Sequence, residues 1–351
     1  MKQGASQRGF TLIELMIGLL LGLLVAAAAS AIFLANSRTR EATDSLSRVQ
    51  EGARVAFELI ARDVRQAGGH SCGSAEMPIA NSLANRDTVW WSTWGTGLIG
   101  YGPATASPGL AFGTGAGQRL NGTSAIEIKY ASSRDFDSAA QTGTPAQFVL
   151  NVPSAVHGLP PVDIVTICSP IGPSGANPGQ QGGPLMTIAQ VSVPANSSTL
   201  TYATATPGNC ANNPRFSSVA CNATSGAAYV FPAGSRVARY NAVRWYIANN
   251  GRGGRSLYRS TITRVNNPTV VNEEMIEGVT DLNITYIQEG ATAYVPAASV
   301  TNWAIVNAVR LEVGLATGQG GADAEGGRVS TDGGTLRRQF ANVVAVRSRL
   351  P

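Results

Sequence analysis

The chain has 351 residues and contains 40 glycines and 18 prolines, whereas only 13% of its side chains are charged. This composition is unlike that of a cytosolic enzyme and favours a loop-rich β protein outside the cytoplasm. The net charge of +5 is too small to indicate nucleic-acid binding by itself.

The first predicted element is an apolar segment near the N-terminus. No charged side chain occurs from Leu15 to Ala35, and a helix over this run would be about 30 Å long, enough to cross a bilayer. One carboxylate, Glu14, precedes the run, and a charge in such surroundings is costly enough to indicate a function. A secretory signal cleaved in the alanine-rich stretch 26–31 is one alternative, but the apolar core is long for it. A simple signal anchor would explain the length but not Glu14.

The residues around this carboxylate form a short motif. Residues 8–15 read Arg-Gly-Phe-Thr-Leu-Ile-Glu-Leu, which resembles the signal of type IV prepilins at every position. In that family a prepilin peptidase cleaves after the glycine, and the new N-terminal residue is N-methylated. The resemblance therefore implies a leader peptide of residues 1–9, cleavage between Gly9 and Phe10, and methylation of Phe10.

The motif also suggests a role for Glu14. When such helices bundle, its carboxylate can pair with the α-amino group of a neighbouring subunit's Phe10. Each charge would then have a partner in apolar surroundings, and the pair would set the register of the subunits. Lys2 and Arg8 on the short side predict a cytoplasmic N-terminus. Residues 10–37 are accordingly expected to be the transmembrane or filament-core part of the helix.

The helix is predicted to continue over residues 38–69. Apolar residues recur there three or four positions apart and form one stripe, which indicates an amphipathic helix packed on a sheet. The glycine pair 68–69 predicts its end. The stripe consists of Leu46, Val49, Ala53, Phe57, Ile60, Val64 and Ala67.

Residues 70–351 are predicted to be an exported, β-rich globular domain. Alternating or β-branched runs predict strands, and the turn at 249–251 joins two of them as a hairpin. Residues 70–122, 169–184 and 204–227 are predicted to be mainly loops. The predicted strands are 124–131, 162–168, 185–193, 199–203, 236–247, 255–262, 282–287, 305–316 and 343–346.

Three tryptophans, Trp90, Trp91 and Trp94, cluster in the first of these loop regions. If exposed, they could bind a sugar or a protein partner. More often such residues fill a small core or cover a sheet edge, and that is the favoured interpretation.

The four cysteines are Cys72, Cys168, Cys210 and Cys221. An even number in an exported chain predicts two disulfides. Cys210 and Cys221 enclose a short loop, so this pair is favoured, which leaves Cys72 with Cys168. Four free buried thiols are the alternative.

Signals for catalysis are absent from the sequence. There is no phosphate-binding loop and no dinucleotide fingerprint, and the only histidines, His70 and His157, lack a supporting triad motif. Asp135 and Asp137 are expected to be solvated loop carboxylates rather than calcium ligands. No enzymatic activity, cofactor or metal site is therefore expected. A solvated sheet face, rather than a DNA site, is expected for the C-terminal arginines Arg328, Arg337, Arg338, Arg347 and Arg349.

The second half of the chain resembles the PilW-like minor pilins, which assist type IV pilus assembly. The resemblance covers residues 1–69 and roughly 235–350, whereas residues 70–234 are longer and richer in glycine than is typical of that family. It implies an α+β, type IV pilin-like fold, in which a long N-terminal helix packs on antiparallel sheet with disulfide-restrained loops. It is carried by Tyr246, the hairpin arm 256–259, residues 277–279, Tyr286, residues 309–311 and the C-terminal stretch 336–347.

The expected function is structural: a minor pilin that inserts by its helix and takes part in the priming or tip complex, and hence in twitching motility. The implied partners are other minor pilins, the major pilin, a tip adhesin and the processing prepilin peptidase; no nucleic acid is expected. The expected location is the inner membrane with a periplasmic domain before assembly, and the extracellular pilus, at its tip, afterwards. Two alternatives are a minor pseudopilin of type II secretion and an adhesive or glycan-binding module that uses the tryptophan cluster.

Overall fold

In the computed structural model, one long helix precedes a domain built from three β-sheets, counted over the residues that the structure describes. These are residues 11–72, 77–86, 88–169, 185–203, 208–216, 227–263, 268–317 and 336–350. The predicted α+β arrangement, with a long helix on antiparallel sheet, is confirmed.

The long helix, α1, runs from Leu12 to Gln66 and contains 55 residues, so it is about 80 Å long. A capping box starts it, because the Thr11 side chain accepts a hydrogen bond from the Glu14 backbone N–H and the Glu14 carboxylate accepts one from the Thr11 backbone N–H. The helix ends just before Gly68, whose φ of 68° suits a residue without Cβ. The prediction of one continuous helix that stops at the glycine pair is confirmed.

The remaining elements are sixteen strands and a few short helical turns within the described residues. A one-turn helix, α2, spans Ser154–His157, and 3₁₀ turns span Ala297–Ser299, Trp303–Ile305 and Arg347–Arg349. The strands are β1 (Ile79–Asn81), β2 (Leu98–Tyr101), β3 (Ala125–Ser138), β4 (Gln147–Val149), β5 (Val162–Ser169), β6 (Leu185–Ser192), β7 (Thr199–Tyr202), β8 (Arg215–Phe216), β9 (Ala227–Ala228), β10 (Ser235–Asn249), β11 (Arg255–Ile262), β12 (Val270–Glu277), β13 (Val279–Gln288), β14 (Val295–Pro296), β15 (Val306–Ala316) and β16 (Arg337–Ala345).

The largest sheet has ten strands and follows the order β12-β11-β10-β5-β6-β7-β4. The 15-residue strand β10 is its centre, since it pairs with β3 along one edge and with β5 and then β11 along the other. A register shift between Ala238 and Tyr240 interrupts the β3 pairing. Strands β5 and β6 are buried along almost their whole length, and polar residues such as Asp163, Thr166 and Gln190 are buried there beside the apolar ones.

The second sheet, β14-β13-β15-β16, packs with the C-terminal half of α1. The predicted stripe forms this contact: Val49, Ala53, Ile60 and Val64 are buried in one core with Leu311 and Val313 of β15, and Phe57 is partly buried there. The amphipathic half of the helix is therefore covered by sheet, as its periodicity predicts.

Several sequence predictions need correction. Asp135 and Asp137 lie on strand β3 rather than in a loop, and both form ion pairs with Arg236 of β10. Strand β16 begins at Arg337 and so includes residues that the sequence left outside its strand 343–346. Other corrections concern the segment 270–277, which forms strand β12, and the predicted loops, which contain the short strands β1, β2, β8 and β9.

The arginines near the C-terminus divide into two groups. Arg337 and Arg338 are exposed on β16, as a solvated sheet face requires. Arg347 and Arg349 lie in a 3₁₀ turn instead of on a strand, because the chain leaves the sheet after Ala345. Arg328 lies outside the described residues.

Candidate functional site

The N-terminal half of α1 extends away from the domain. Every large apolar side chain between Leu12 and Leu34 is more than half exposed. Among the described residues, α1 is the one helix that is long and apolar enough to cross a membrane. A continuous apolar surface of this size needs lipid or other apolar helices to cover it.

Glu14 lies at the start of this apolar half and is exposed. Its Oε2 accepts hydrogen bonds from the Thr11 backbone N–H at 3.1 Å and from Thr11 Oγ1 at 3.0 Å. Its Oε1 accepts no hydrogen bond within the described residues. Sequence reasoning missed this capping role, although the Thr-x-x-Glu spacing is its usual signature. The predicted cleavage and methylation residues, Gly9 and Phe10, lie outside the described residues.

A buried carboxylate fixes the other half of the helix to the domain. Asp63 is fully buried, and it accepts hydrogen bonds from Trp245 Nε1 at 3.0 Å, Tyr130 OH at 3.3 Å and Arg259 Nε at 3.3 Å. These donors lie on β10, β3 and β11 of the large sheet. Burial and the neighbouring Asp63 raise the pKa of Tyr130 to about 12, so the phenol stays a donor. Since a buried charge must be compensated, this cluster fixes the rotation of the helix on the sheet.

The C-terminus holds the end of the same helix. Ser348 Oγ donates to the Ala67 carbonyl at 2.7 Å, which satisfies a group at the helix end. Arg349 donates to the carbonyls of Thr96 at 2.6 Å and Val306 at 2.8 Å, and burial lowers its pKa to about 10. The segments around Thr96 and Val306 are thereby connected to the C-terminal end of α1.

The predicted tryptophan cluster is buried rather than displayed. Trp90, Trp91 and Trp94 are 6%, 2% and 6% exposed and belong to a core with the Cys72 and Cys168 side chains. The favoured interpretation, that they fill a core, agrees with this burial. They form no exposed aromatic platform of the kind that a glycan-binding module would use.

The disulfide between Cys72 and Cys168 is confirmed, and it connects the segment after α1 to strand β5. Cys210 is also disulfide-bonded, while its predicted partner, Cys221, lies outside the described residues. In the part of the chain that the structure describes, no group of three or more His, Cys, Asp and Glu side chains could hold a metal ion. His157 is buried and hydrogen-bonds the Ser197 carbonyl through Nε2 at 3.0 Å.

Comparison with known families gives two matches. Residues 244–348 match the model described as Type IV Pilus-assembly protein W, and residues 4–30 match the prokaryotic N-terminal methylation motif. The first match covers the large sheet's hairpin, the second sheet and most of the C-terminal turn; the second covers the residues around Glu14 and the apolar half-helix. No curated protein and no solved structure gives a significant match to the chain. The two family matches, together with the long helix, show that the chain is similar to PilW-type pilus-assembly proteins over residues 244–348 and to prepilin-type N-termini over residues 4–30.

Proposed function

We propose that the chain is a minor pilin that enters the filament through the N-terminal half of α1 and takes part in the priming or tip complex of pilus assembly. The observation that carries the proposal is the exposed apolar half-helix, joined without a break to a half that is fixed on a PilW-like domain. In a membrane this half is covered by lipid, and in a filament by neighbouring helices, so the same surface serves both locations.

We divide the chain according to this move from the membrane to the filament. Residues 1–9 are a leader that prepilin peptidase removes between Gly9 and Phe10, and Phe10 is then N-methylated. Residues 10–37 form the transmembrane or filament-core segment, 38–69 the amphipathic half, and 70–351 the exported domain. The methylation-motif match over residues 4–30 supports this processing.

The two oxygens of Glu14 allow the carboxylate two simultaneous roles. Oε2 caps its own helix through Thr11, whereas Oε1 is available to the Phe10 α-amino group of a neighbouring subunit. Such a pair would compensate both charges inside an apolar bundle and set the axial register between subunits. The proposed partners in the bundle are other minor pilins and the major pilin, with a tip adhesin at the end of the filament. The proposed route leads from the inner membrane, with a periplasmic domain, to the extracellular tip.

A complementation experiment tests this function. In a strain that lacks the gene, the wild-type chain should restore surface pili and twitching and leave type II secretion unchanged. Glu14→Ala should be cleaved normally, but the number of its copies in sheared pili should fall about ten-fold or more. The reason is that the Phe10 α-amino group of the neighbouring subunit loses its partner, and an unpaired charge in apolar surroundings costs several kcal/mol. Electron microscopy, immunoblots of sheared pili and a secretion assay provide the measurements.

Two matched variants separate charge pairing from capping. Glu14→Gln keeps a carbonyl oxygen for the cap but loses the charge, so it should fail as Glu14→Ala does. Thr11→Ala removes the side-chain cap but keeps the carboxylate, so it should enter pili nearly as well as the wild type. Normal incorporation of Glu14→Gln would contradict the pairing role, and a deletion that impairs secretion but not piliation would indicate a pseudopilin instead.

A further inference from the structure

A cavity of about 420 Å³ lies between residues 88–96, which contain the tryptophan cluster, strands β2 and β3, and the 3₁₀ turn at Trp303. Its walls include Trp90, Trp94, Tyr101 and Trp303. Thr93 and Gly95 at its edge are exposed, so the cavity opens to solvent. This volume is within the range of roughly 300–1,000 Å³ that is typical of sites for small molecules.

Two charged side chains line the cavity. Glu127 and Lys129 are 2% and 5% exposed, and their positions two apart on β3 place them on one face of the sheet. Glu127 Oε1 accepts two hydrogen bonds from Arg244, at 2.6 and 3.0 Å, and Glu127 Oε2 accepts one from Lys129 Nζ at 3.3 Å. The carboxylate therefore has its partners inside the protein.

Two buried donors of the cavity have unused hydrogen-bonding capacity. An ammonium group carries three N–H bonds, and Lys129 Nζ uses one of them within the described residues. The indole Nε1 of Trp90 is buried and has no hydrogen-bond partner among them. Buried donors without acceptors are costly and call for an explanation.

The charges around the cavity also favour a ligand that is negatively charged and accepts hydrogen bonds. Two cations, Lys129 and Arg244, surround one anion, Glu127, which leaves an excess of one positive charge. Burial lowers the pKa of Lys129, while Glu127 acts in the opposite direction. A second carboxylate near Nζ would stabilise the ammonium form and raise that pKa.

We propose that this cavity is a binding site for a small organic anion, whose carboxylate accepts hydrogen bonds from Lys129 and whose aromatic or aliphatic body packs against Trp90, Trp94 and Trp303. A neutral sugar fits less well, because it brings no negative charge to balance the excess positive charge of Lys129 and Arg244 over Glu127. The site is separate from the helix that carries the proposed assembly function, so the two proposals stand or fall independently.

The sequence makes this site easy to observe. Apart from Lys2 in the leader, Lys129 is the only lysine of the chain. In full-length protein labelled with [¹³Cε]lysine and held in lipid nanodiscs, any second signal comes from Lys2 and serves as an internal control. Titration with 3-phenylpropionate should shift the Lys129 signal in a saturable way and raise the pKa that this signal reports. The neutral analogue 3-phenylpropanol should bind about ten-fold more weakly or worse, because it loses a charge-assisted hydrogen bond.

Variants assign the binding to these side chains. Ligand-detected saturation-transfer NMR should show binding of 3-phenylpropionate weakened about ten-fold or more by Lys129→Met, which keeps the length of the side chain and leaves Glu127 paired with Arg244. Trp303→Ala, which removes part of a wall without touching the charged groups, should also weaken binding. Arg338→Met removes an exposed cation elsewhere and should have no effect. Absence of saturable binding to the wild type, equal binding of the alcohol, or wild-type binding by folded Lys129→Met or Trp303→Ala would overturn the proposal.

Discussion

A chain that carries Gly9→Val should remain in the membrane as uncleaved precursor. Glycine presents no side chain at the proposed cleavage site, whereas valine places a branched side chain where the peptidase must approach the backbone. The retained leader also keeps Lys2 and Arg8 on the helix, and moving such cations into hydrocarbon costs roughly 2.5–3.5 kcal/mol each. The uncleaved helix is therefore held in the bilayer and cannot enter a filament.

The measurement is the intact mass of the chain in the membrane fraction, with sheared pili analysed beside it. Gly4→Val is the matched control, since it makes the same substitution within the leader but away from the cleavage site, and it should be processed normally. If Gly9→Val yielded the same mature mass as the wild type, the assignment of cleavage between Gly9 and Phe10 would be wrong.

Asp63→Ala should lower the free energy of unfolding by about 3–5 kcal/mol, the cost of removing one partner from a buried charged cluster. The substitution leaves Trp245 Nε1, Tyr130 OH and the Arg259 guanidinium without the acceptor that they share. The helix also loses the contact that sets its rotation on the large sheet. Asp63→Asn keeps one acceptor oxygen, so its loss should be smaller.

Chemical denaturation of the full-length protein in detergent, followed by tryptophan fluorescence, measures this effect. Glu58→Ala is the control on the same helix: Glu58 pairs with Arg54, but both side chains are largely exposed, and such pairs contribute little. Its unfolding curve should overlie that of the wild type. If Asp63→Ala gave the same curve as Glu58→Ala, the cluster would not be what fixes the helix.

The features that the sequence predicts correctly are those encoded locally. The stripe through Val49, Ala53, Ile60 and Val64 repeats every three or four residues, so it defines the buried face of α1 before any partner is known. The hairpin arm Arg255–Ile262 is correct to the residue, because the turn at 249–251 marks where the chain reverses before it. The residues of the N-terminal motif are adjacent in the sequence, so the motif can be identified without knowledge of the fold.

The interactions that the sequence leaves open depend on the tertiary fold. Asp63 interrupts an apolar stripe, and only the fold brings Tyr130, Trp245 and Arg259 to it, from 67, 182 and 196 positions along the chain. The ring of carbonyls around the buried Arg119 guanidinium, which includes those of Gly102 and Thr105, is equally invisible in the sequence. Periodicity reports which face is buried but not which polar groups meet there.

If the chain is processed and then built into the pilus, its N-terminus in sheared pili must be the mature one. Pili from wild-type cells that carry an affinity-tagged copy would be sheared, purified and analysed by mass spectrometry for the first residues of that chain. We expect a chain that begins at Phe10 with a methylated α-amino group. A chain that is absent from pili in piliated cells, or that retains residues 1–9, would contradict it.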